Sequence, residues 1–107
     1  MPTALLVHDV YFTLNDPSPA ARQALVRECY DRLAAIAGIL HFAAGSRDAE
    51  LARPVNDVDY DVSLHVWFVD RAAHDAYQVA PAHVAFVAAN GAKWRRVRVF
   101  DSAIAPR

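Results

Sequence analysis

The chain has 107 residues and a formal net charge of −1, with 55% hydrophobic and 21% charged residues. This length predicts a single domain over residues 1–107, since one domain commonly takes about 100–200 residues. The lone cysteine, Cys29, excludes an internal disulfide and a four-thiol zinc site. A charge near zero argues against a nucleic-acid-binding surface, which requires clustered Lys and Arg. We therefore expect one globular domain that does not bind nucleic acid.

The chain carries no visible targeting or membrane signal. Residues 1–10 lack a basic leader, and their apolar run is interrupted by His8 and Asp9. No stretch approaches the roughly 18 apolar residues of a membrane span. Ten Arg against one Lys indicate a GC-rich genome, as in many bacteria. We expect a cytoplasmic, bacterial protein without a membrane partner.

Hydrophobic periodicity and turn signals divide the chain into alternating strands and helices. Residues 5–14 show the period-two alternation and β-branched or aromatic enrichment of a strand. Ser18 and Pro19 predict a helix start, because the hydroxyl caps free amides and proline suits the first position. We expect this helix to run to about Ala37, with Gly38 as its stop. The remaining predictions are a strand over 39–46, a solvated loop over 47–60, a strand over 61–69, a helix capped by Asp70 through 79, a helical segment from Pro81 to Asn90, and a strand over 93–101 followed by a loose tail, which leaves a core of about 5–101.

The order strand, helix, strand, strand, helix, strand predicts an α+β ferredoxin-like fold, in which one antiparallel sheet carries both helices on one face. The side chains expected beneath the helices are Val10, Phe12, Val66, Phe68, Val97 and Val99. Those expected on the opposite face are Val7, Tyr11, His65, Trp67 and Phe100. That face is too apolar for a small monomer to leave exposed, so we predict a two-fold homodimer that packs the sheets together. In the alternative, some of these aromatic residues are ordinary half-exposed side chains.

Two histidines and one tyrosine are the candidate functional residues. His8 has the helix-facing parity of a central strand, so it is either a core histidine bonded to a backbone carbonyl or part of a pocket. His83 follows Ala80-Pro81-Ala82 at the start of the last helical segment. It either belongs to the polar start of that segment or, as a partly enclosed neutral imidazole, would serve as a general base. Tyr77 is either a core residue or a hydroxyl that orients a carbonyl or an enolate. The histidines expected to lie outside a site, on the other sheet face or at edge and surface positions, are His41, His65 and His74.

No cofactor or metal site is expected from the sequence. The chain lacks a Gly-rich phosphate loop and a His-x-x-x-His pair. Asp57, Asp59 and Asp61 alternate like the ligands of a calcium loop, but the Gly and Glu of such a loop are absent, which favours a solvated loop. Cys29 lies on the apolar stripe of the first helix and is expected to be a small core residue.

The motifs of the chain resemble, in order and spacing, those of the stress-responsive A/B barrel domain (Dabb) family over about Val7 to Asp101. The segments that carry the resemblance are His8-x-Val10-x-Phe12-x-Leu14, Gly45, Tyr60-Asp61, Val66-x-Phe68, Tyr77-x-x-Ala80-Pro81-Ala82-His83 and Val97-x-Val99-x-Asp101. The resemblance implies a ferredoxin-like subunit whose dimer joins two sheets into a barrel, in agreement with the two-faced sheet.

The resemblance also implies a pocket with named roles. By likeness to a plant polyketide cyclase of the family, His83 would remove a proton α to a carbonyl, Tyr77 would hold the substrate or oxyanion, and His8 would support the pocket. The expected pocket walls are Val10, Phe12, Val66, Phe86 and Trp94. Two departures from these patterns weaken a shared proton network. Ala80 stands where many members of the family have histidine, and Val62 stands where the cyclase has a further histidine.

The sequence is consistent with three functions. The chain binds a small organic molecule without turnover, or it is a cofactor-independent cyclase or isomerase with His83 as general base. The third is a cofactor-free oxygenase of the kind that dimeric ferredoxin-like folds also host, an alternative that rests on the fold alone.

Overall fold

The computed structural model describes residues 4–107, in which four antiparallel strands form one sheet and three helices cover one of its faces. The elements are β1 (Leu5–Leu14), α1 (Pro19–Leu33), β2 (Ile39–Ser46), β3 (Val62–Phe68), α2 (Arg71–Val79), α3 (Pro81–Asn90), a 3-10 turn (Gly91–Lys93) and β4 (Trp94–Ile104). The strand order is β2-β3-β1-β4, with β1 in the interior of the sheet. This confirms the predicted α+β ferredoxin-like fold. The predictions of one domain from residue 1 and of no leader include residues 1–3, which lie outside the described residues.

Helix α1 begins where the sequence predicts but ends earlier. Ser18 caps it, because its Oγ accepts a hydrogen bond of 3.2 Å from the amide of Ala21. The helix ends at Leu33 rather than near Ala37, since the amide of Ile36 already bonds to the Leu33 carbonyl in a tighter turn.

The turn between α1 and β2 depends on Gly38. Its φ of +92° lies in the left-handed region, which side chains with a Cβ rarely adopt. A Cβ at this position would also lie 2.7 Å from the Cβ of Ala73 on α2. Gly38 therefore both turns the chain and lets α2 pack closely.

The prediction of a loose tail from Ser102 is wrong. Strand β4 continues to Ile104, and its last three residues pair with Val7, Leu6 and Leu5. The physical reason is that the first residues of β1 would otherwise leave their backbone groups on this side unpaired.

The prediction that Asp57, Asp59 and Asp61 belong to a solvated loop is also wrong at one position. The side chain of Asp61 is only 10% exposed, and it accepts bonds from the Leu14 amide at 2.8 Å and from Arg22 at 3.0 Å. Asp57 and Asp59 stay exposed but pair with arginines on β4. The loop is thus fixed to the sheet through its carboxylates.

The sheet has the two faces that the alternation predicts. Beneath the helices lies the core, whose fully buried members include Phe12, Cys29, Leu33, Val62, Val66, Phe68 and Tyr77. The opposite face carries Val7, Tyr11, His65, Trp67 and Phe100. On that face the ring of Tyr11 packs against Phe100, with centroids 5.8 Å apart, and against His65 at 6.0 Å. Phe100 remains 52% exposed, so this face presents aromatic surface to the outside.

None of the helices in residues 4–107 has the length and apolar character needed to span a membrane.

Candidate active site

A cavity of about 160 Å³ lies between the sheet and helices α2 and α3. The predicted site residues that line it are His8, Val10, Phe12, Tyr77, His83, Phe86 and Trp94. The predicted wall residue Val66 is fully buried on β3 and does not line it. Residues that line it but were not predicted as pocket residues are Leu64, Gln78, Val87, Val97 and Val99. Val97 is 39% and Val99 49% exposed, so the cavity opens along β4.

Larger cavities lie elsewhere among the described residues. One of about 400 Å³ is on the helix-free face, beside Tyr11 and Phe100. Another, of about 430 Å³, lies between α1 and the end of β1 and shares Trp94 with the first cavity described. The 160 Å³ cavity is lined by both candidate histidines, His8 and His83.

The break between α2 and α3 brings Tyr77 and His83 together. Pro81 disfavours helical backbone at Ala80, which adopts an extended conformation with φ −61° and ψ 140°. The chain then restarts as α3, with His83 in its first turn. The rings of Tyr77 and His83 therefore lie with centroids 4.9 Å apart, although the residues would point in different directions on one continuous helix.

Tyr77 contacts both candidate histidines. Its ring centroid is 5.8 Å from that of His8 and 4.9 Å from that of His83. The tyrosine is 1% exposed, and its hydroxyl has no hydrogen-bond partner among residues 4–107. Burial raises the pKa of Tyr77, so the hydroxyl keeps its proton and can donate it in a hydrogen bond.

The buried hydroxyl of Tyr77 destabilises the folded chain when no ligand is bound. A buried donor without a partner costs about 1–3 kcal/mol. The indole Nε1 of Trp94 is likewise buried without a partner within the described part of the chain. Both residues line the cavity.

His83 has the properties of a base at neutral pH. It is half-buried, and no hydrogen bond joins its imidazole to another residue in 4–107. Burial, and to a smaller extent the neighbouring His8, lowers the pKa of His83 below its ordinary value of 6.5. The ring is therefore mostly neutral at pH 7 and can accept a proton.

His8 is held by a carboxylate rather than by a backbone carbonyl. Its Nδ1 lies 2.6 Å from Oδ1 of Asp101, which stands opposite it in the β1–β4 register. His74 joins this pair, with Nε2 3.6 Å from the same oxygen. The prediction that His74 is a surface residue is wrong, because its side chain is only 14% exposed.

Sequence reasoning missed Asp101 and His74, although signals for both exist. Asp101 has the same strand parity as Val97 and Val99, so it faces the helices. His74 precedes Tyr77 by three residues, which places both on one face of a helix.

Cys29 is not a candidate nucleophile. It is completely buried, and burial raises the pKa of its thiol to about 12. The thiolate needed for attack is therefore absent at neutral pH. This agrees with the prediction that it is a small core residue.

Comparisons with known proteins place the chain in a family. The family model for the stress-responsive A/B barrel domain matches residues 6–104. No curated protein matches the sequence.

Solved structures share the fold over nearly the whole chain. A Dabb family protein from Mesorhizobium loti, with a ferredoxin-like fold, is 25% identical and superimposes with a TM-score of 0.80, covering 97% of this chain and 100% of its own. A dimeric ferredoxin-like protein of unknown function from Thermobifida fusca is 23% identical, with a TM-score of 0.78 and coverage of 95% and 92%. Hydroxynitrile lyase from Passiflora edulis is 15% identical, with a TM-score of 0.74 and coverage of 100% and 98%. At these lower identities the last two show the shared fold alone.

The match over residues 6–104 shows that the chain belongs to the stress-responsive A/B barrel domain family, the one that its motifs resemble.

Proposed function

We propose that the chain binds a small organic molecule carrying a carbonyl group in the cavity between α2, α3 and the sheet. The observation that carries this proposal is that Tyr77 lines the cavity and that its buried hydroxyl has no partner in the described residues. A carbonyl oxygen of a ligand would accept its hydrogen bond and relieve the cost of burying it.

The size and walls of the cavity restrict the ligand. A volume of about 160 Å³ is close to the roughly 150 Å³ of an engineered cavity that holds benzene. Most of the lining is aliphatic or aromatic, so the enclosed part of the ligand is apolar apart from the carbonyl. A longer substituent would leave through the opening beside Val97 and Val99.

A second candidate function, cofactor-independent proton transfer, is favoured by the position of His83. A neutral imidazole whose ring is 4.9 Å from that of a hydroxyl donor supplies a base beside an oxyanion-stabilising group. His83 would remove the proton α to the carbonyl, and Tyr77 would stabilise the enolate oxygen. His8, held by Asp101, would contact Tyr77 and keep its ring in place. The hydroxynitrile lyase with the same fold shows that this architecture hosts an enzyme. The oxygenase alternative rests on the fold and stays a prediction.

We also propose that the working unit is a homodimer formed through the helix-free face. This face carries Trp67, Phe100 and Tyr11, and the similar protein from Thermobifida fusca is described as dimeric. Two such faces packed together would remove the exposed aromatic surface from water.

Binding and proton transfer are tested with the same small probes, methyl acetoacetate and γ-butyrolactone. Binding is followed by ¹H–¹⁵N chemical-shift changes in the uniformly labelled protein, which should centre on Tyr77, His83 and Trp94. Proton transfer is followed by ¹H NMR as loss of the α-proton signal in D₂O. His83→Ala should slow the exchange by about 100-fold or more if it is the base, while His41→Ala, at an exposed position on β2, should leave it unchanged.

The outcomes separate the two candidates. Shifts at the cavity without faster exchange would support the binding function and contradict catalysis of these probes. No shifts at the cavity with any member of a panel of small carbonyl compounds would contradict both.

A further inference from the structure

We propose that His8, His74 and Asp101 form a binding site for a divalent transition-metal ion, with Zn²⁺ as the expected occupant. Three possible ligand atoms, one from each residue, lie within 4.8 Å of one another. Oδ1 of Asp101 is 2.6 Å from Nδ1 of His8 and 3.6 Å from Nε2 of His74. The residues come from β1, α2 and β4, so the tertiary fold alone brings them together.

The orientation of His74 is the second observation. Its Nδ1 lies 2.9 Å from Oδ1 of Asp75, and because a carboxylate only accepts, Nδ1 carries the ring proton. In the neutral ring, Nε2 is then left with a lone pair. That atom is buried without a hydrogen-bond partner in residues 4–107, and it faces the Asp101 oxygen at 3.6 Å. In that neutral form the Nε2 lone pair faces a carboxylate oxygen, and a cation placed between the two atoms would be attracted to both.

The donor set fits a transition metal. Two imidazoles and one carboxylate, with the remaining positions open, are typical ligands of Zn²⁺ and of non-haem Fe²⁺. Asp75 supplies the outer carboxylate that commonly orients a metal-binding histidine. Asp101 has a 40% exposed side chain, so water can reach the open positions from its side.

Only small movements are needed to bind the ion. Metal–ligand distances of roughly 2.0–2.2 Å place tetrahedral ligand atoms about 3.3–3.6 Å apart. The exposed carboxylate of Asp101 would move slightly away from His8 and towards His74. The proton that His8 shares with Asp101 through Nδ1 would pass to Nε2 or to solvent, and the ion would take its place.

The inference goes beyond the proposed function, because metal binding is measured without a carbonyl ligand. The test uses tag-free protein that has been treated with a chelator and then titrated with zinc chloride at neutral pH by calorimetry. We expect one ion per chain with micromolar or tighter affinity. His74→Gln and Asp101→Asn should each weaken binding at least tenfold, and Asp75→Asn should weaken it by about tenfold through loss of orientation.

Control variants distinguish zinc binding at this site from zinc binding to any exposed histidine and from the effects of misfolding. His41→Gln changes an exposed histidine on β2 and should leave the affinity unchanged. Asp75 has a 55% exposed side chain, so Asp75→Asn should keep the fold, which circular dichroism checks. Co²⁺ bound to the wild type should show the visible absorption of a low-coordinate site and should be displaced by Zn²⁺.

Three results would each overturn the inference. The first is zinc affinity no tighter than millimolar in the wild type. The second is micromolar binding that His74→Gln, Asp101→Asn and Asp75→Asn all leave unchanged. If imidazole ¹⁵N signals show His74 protonated at both nitrogens in the presence of excess zinc, the ring bridges the carboxylates of Asp75 and Asp101 instead, which also contradicts the inference.

Discussion

The rings of Tyr77 and His83 lie 4.9 Å apart at the junction of two helices, and the hydroxyl of that tyrosine has no partner in the described chain. If this position served packing alone, a phenylalanine would fill it without burying an unbonded hydroxyl. Tyr77→Phe removes that group and keeps the ring, so it separates a ligand-binding role from a packing role.

We expect Tyr77→Phe to leave the free energy of unfolding unchanged or to raise it by about 1 kcal/mol, because an unsatisfied donor is removed. The same variant should bind the carbonyl probes about tenfold more weakly. Urea unfolding and NMR titration measure the two quantities. A variant that is destabilised and binds the probes normally would contradict the role given to the hydroxyl.

The lowered pKa of His83 predicts a pH dependence of stability. Because its pKa is lower in the folded state than the ordinary value of about 6.5, the unfolded chain takes up the proton more readily. The wild type should therefore lose stability, relative to His83→Gln, as pH falls below about 6.5 towards the lowered pKa. Above that range the difference should be constant.

Urea unfolding of both proteins at a series of pH values measures this difference. The contributions of groups that titrate equally in the two proteins cancel in this difference. A difference that does not change with pH, or that favours the wild type on acidification, would show that the pKa of His83 is not lowered.

Gly38→Ala should destabilise the chain by about 1–3 kcal/mol. The position has φ of +92°, and the new Cβ would lie 2.7 Å from that of Ala73. Gly45→Ala is the matched control, since a Cβ there meets nothing within 4 Å and φ is ordinary. Thermal unfolding should separate the two variants clearly; equal melting temperatures would mean that neither the turn nor the α2 contact constrains this glycine.

Asp61→Ala should destabilise the chain by about 3 kcal/mol, because it leaves the Leu14 amide and the Arg22 guanidinium without their buried acceptor. Asp59→Ala removes a carboxylate of the same loop, but that group is 49% exposed where it pairs with Arg96. This second change should cost about 1 kcal/mol or less. Denaturant titration gives both values, and a smaller effect for Asp61 would contradict its structural role.

The dimer proposal predicts that Trp67→Arg yields a monomer, because a charge would be buried unpaired between two sheets. Light scattering should give twice the chain mass for the wild type and a single chain mass for the variant. Val79→Arg places the same charge at a 75% exposed position on α2 and should leave the dimer intact. A soluble, dimeric Trp67→Arg protein would exclude this face from the interface.

Much of the fold was determined by local patterns in the sequence. Period-two alternation located the strands, and the parity of His8, Val10 and Phe12 assigned them correctly to the helix-covered face. Ser18, Asp70 and Pro81 set helix starts through caps and a fixed φ, which are properties of a few neighbouring residues. The motifs then sufficed to identify the family.

The tertiary structure decided the contacts between residues that are distant in sequence. The end of β4 at Ile104 follows from pairing with β1, and the burial of Asp61 follows from the approach of Arg22 and Leu14. The cluster of His8, His74 and Asp101 likewise exists only because three elements converge. Periodicity assigns a side chain to a face, but it carries no information on register, and register and helix packing determine which polar atoms meet.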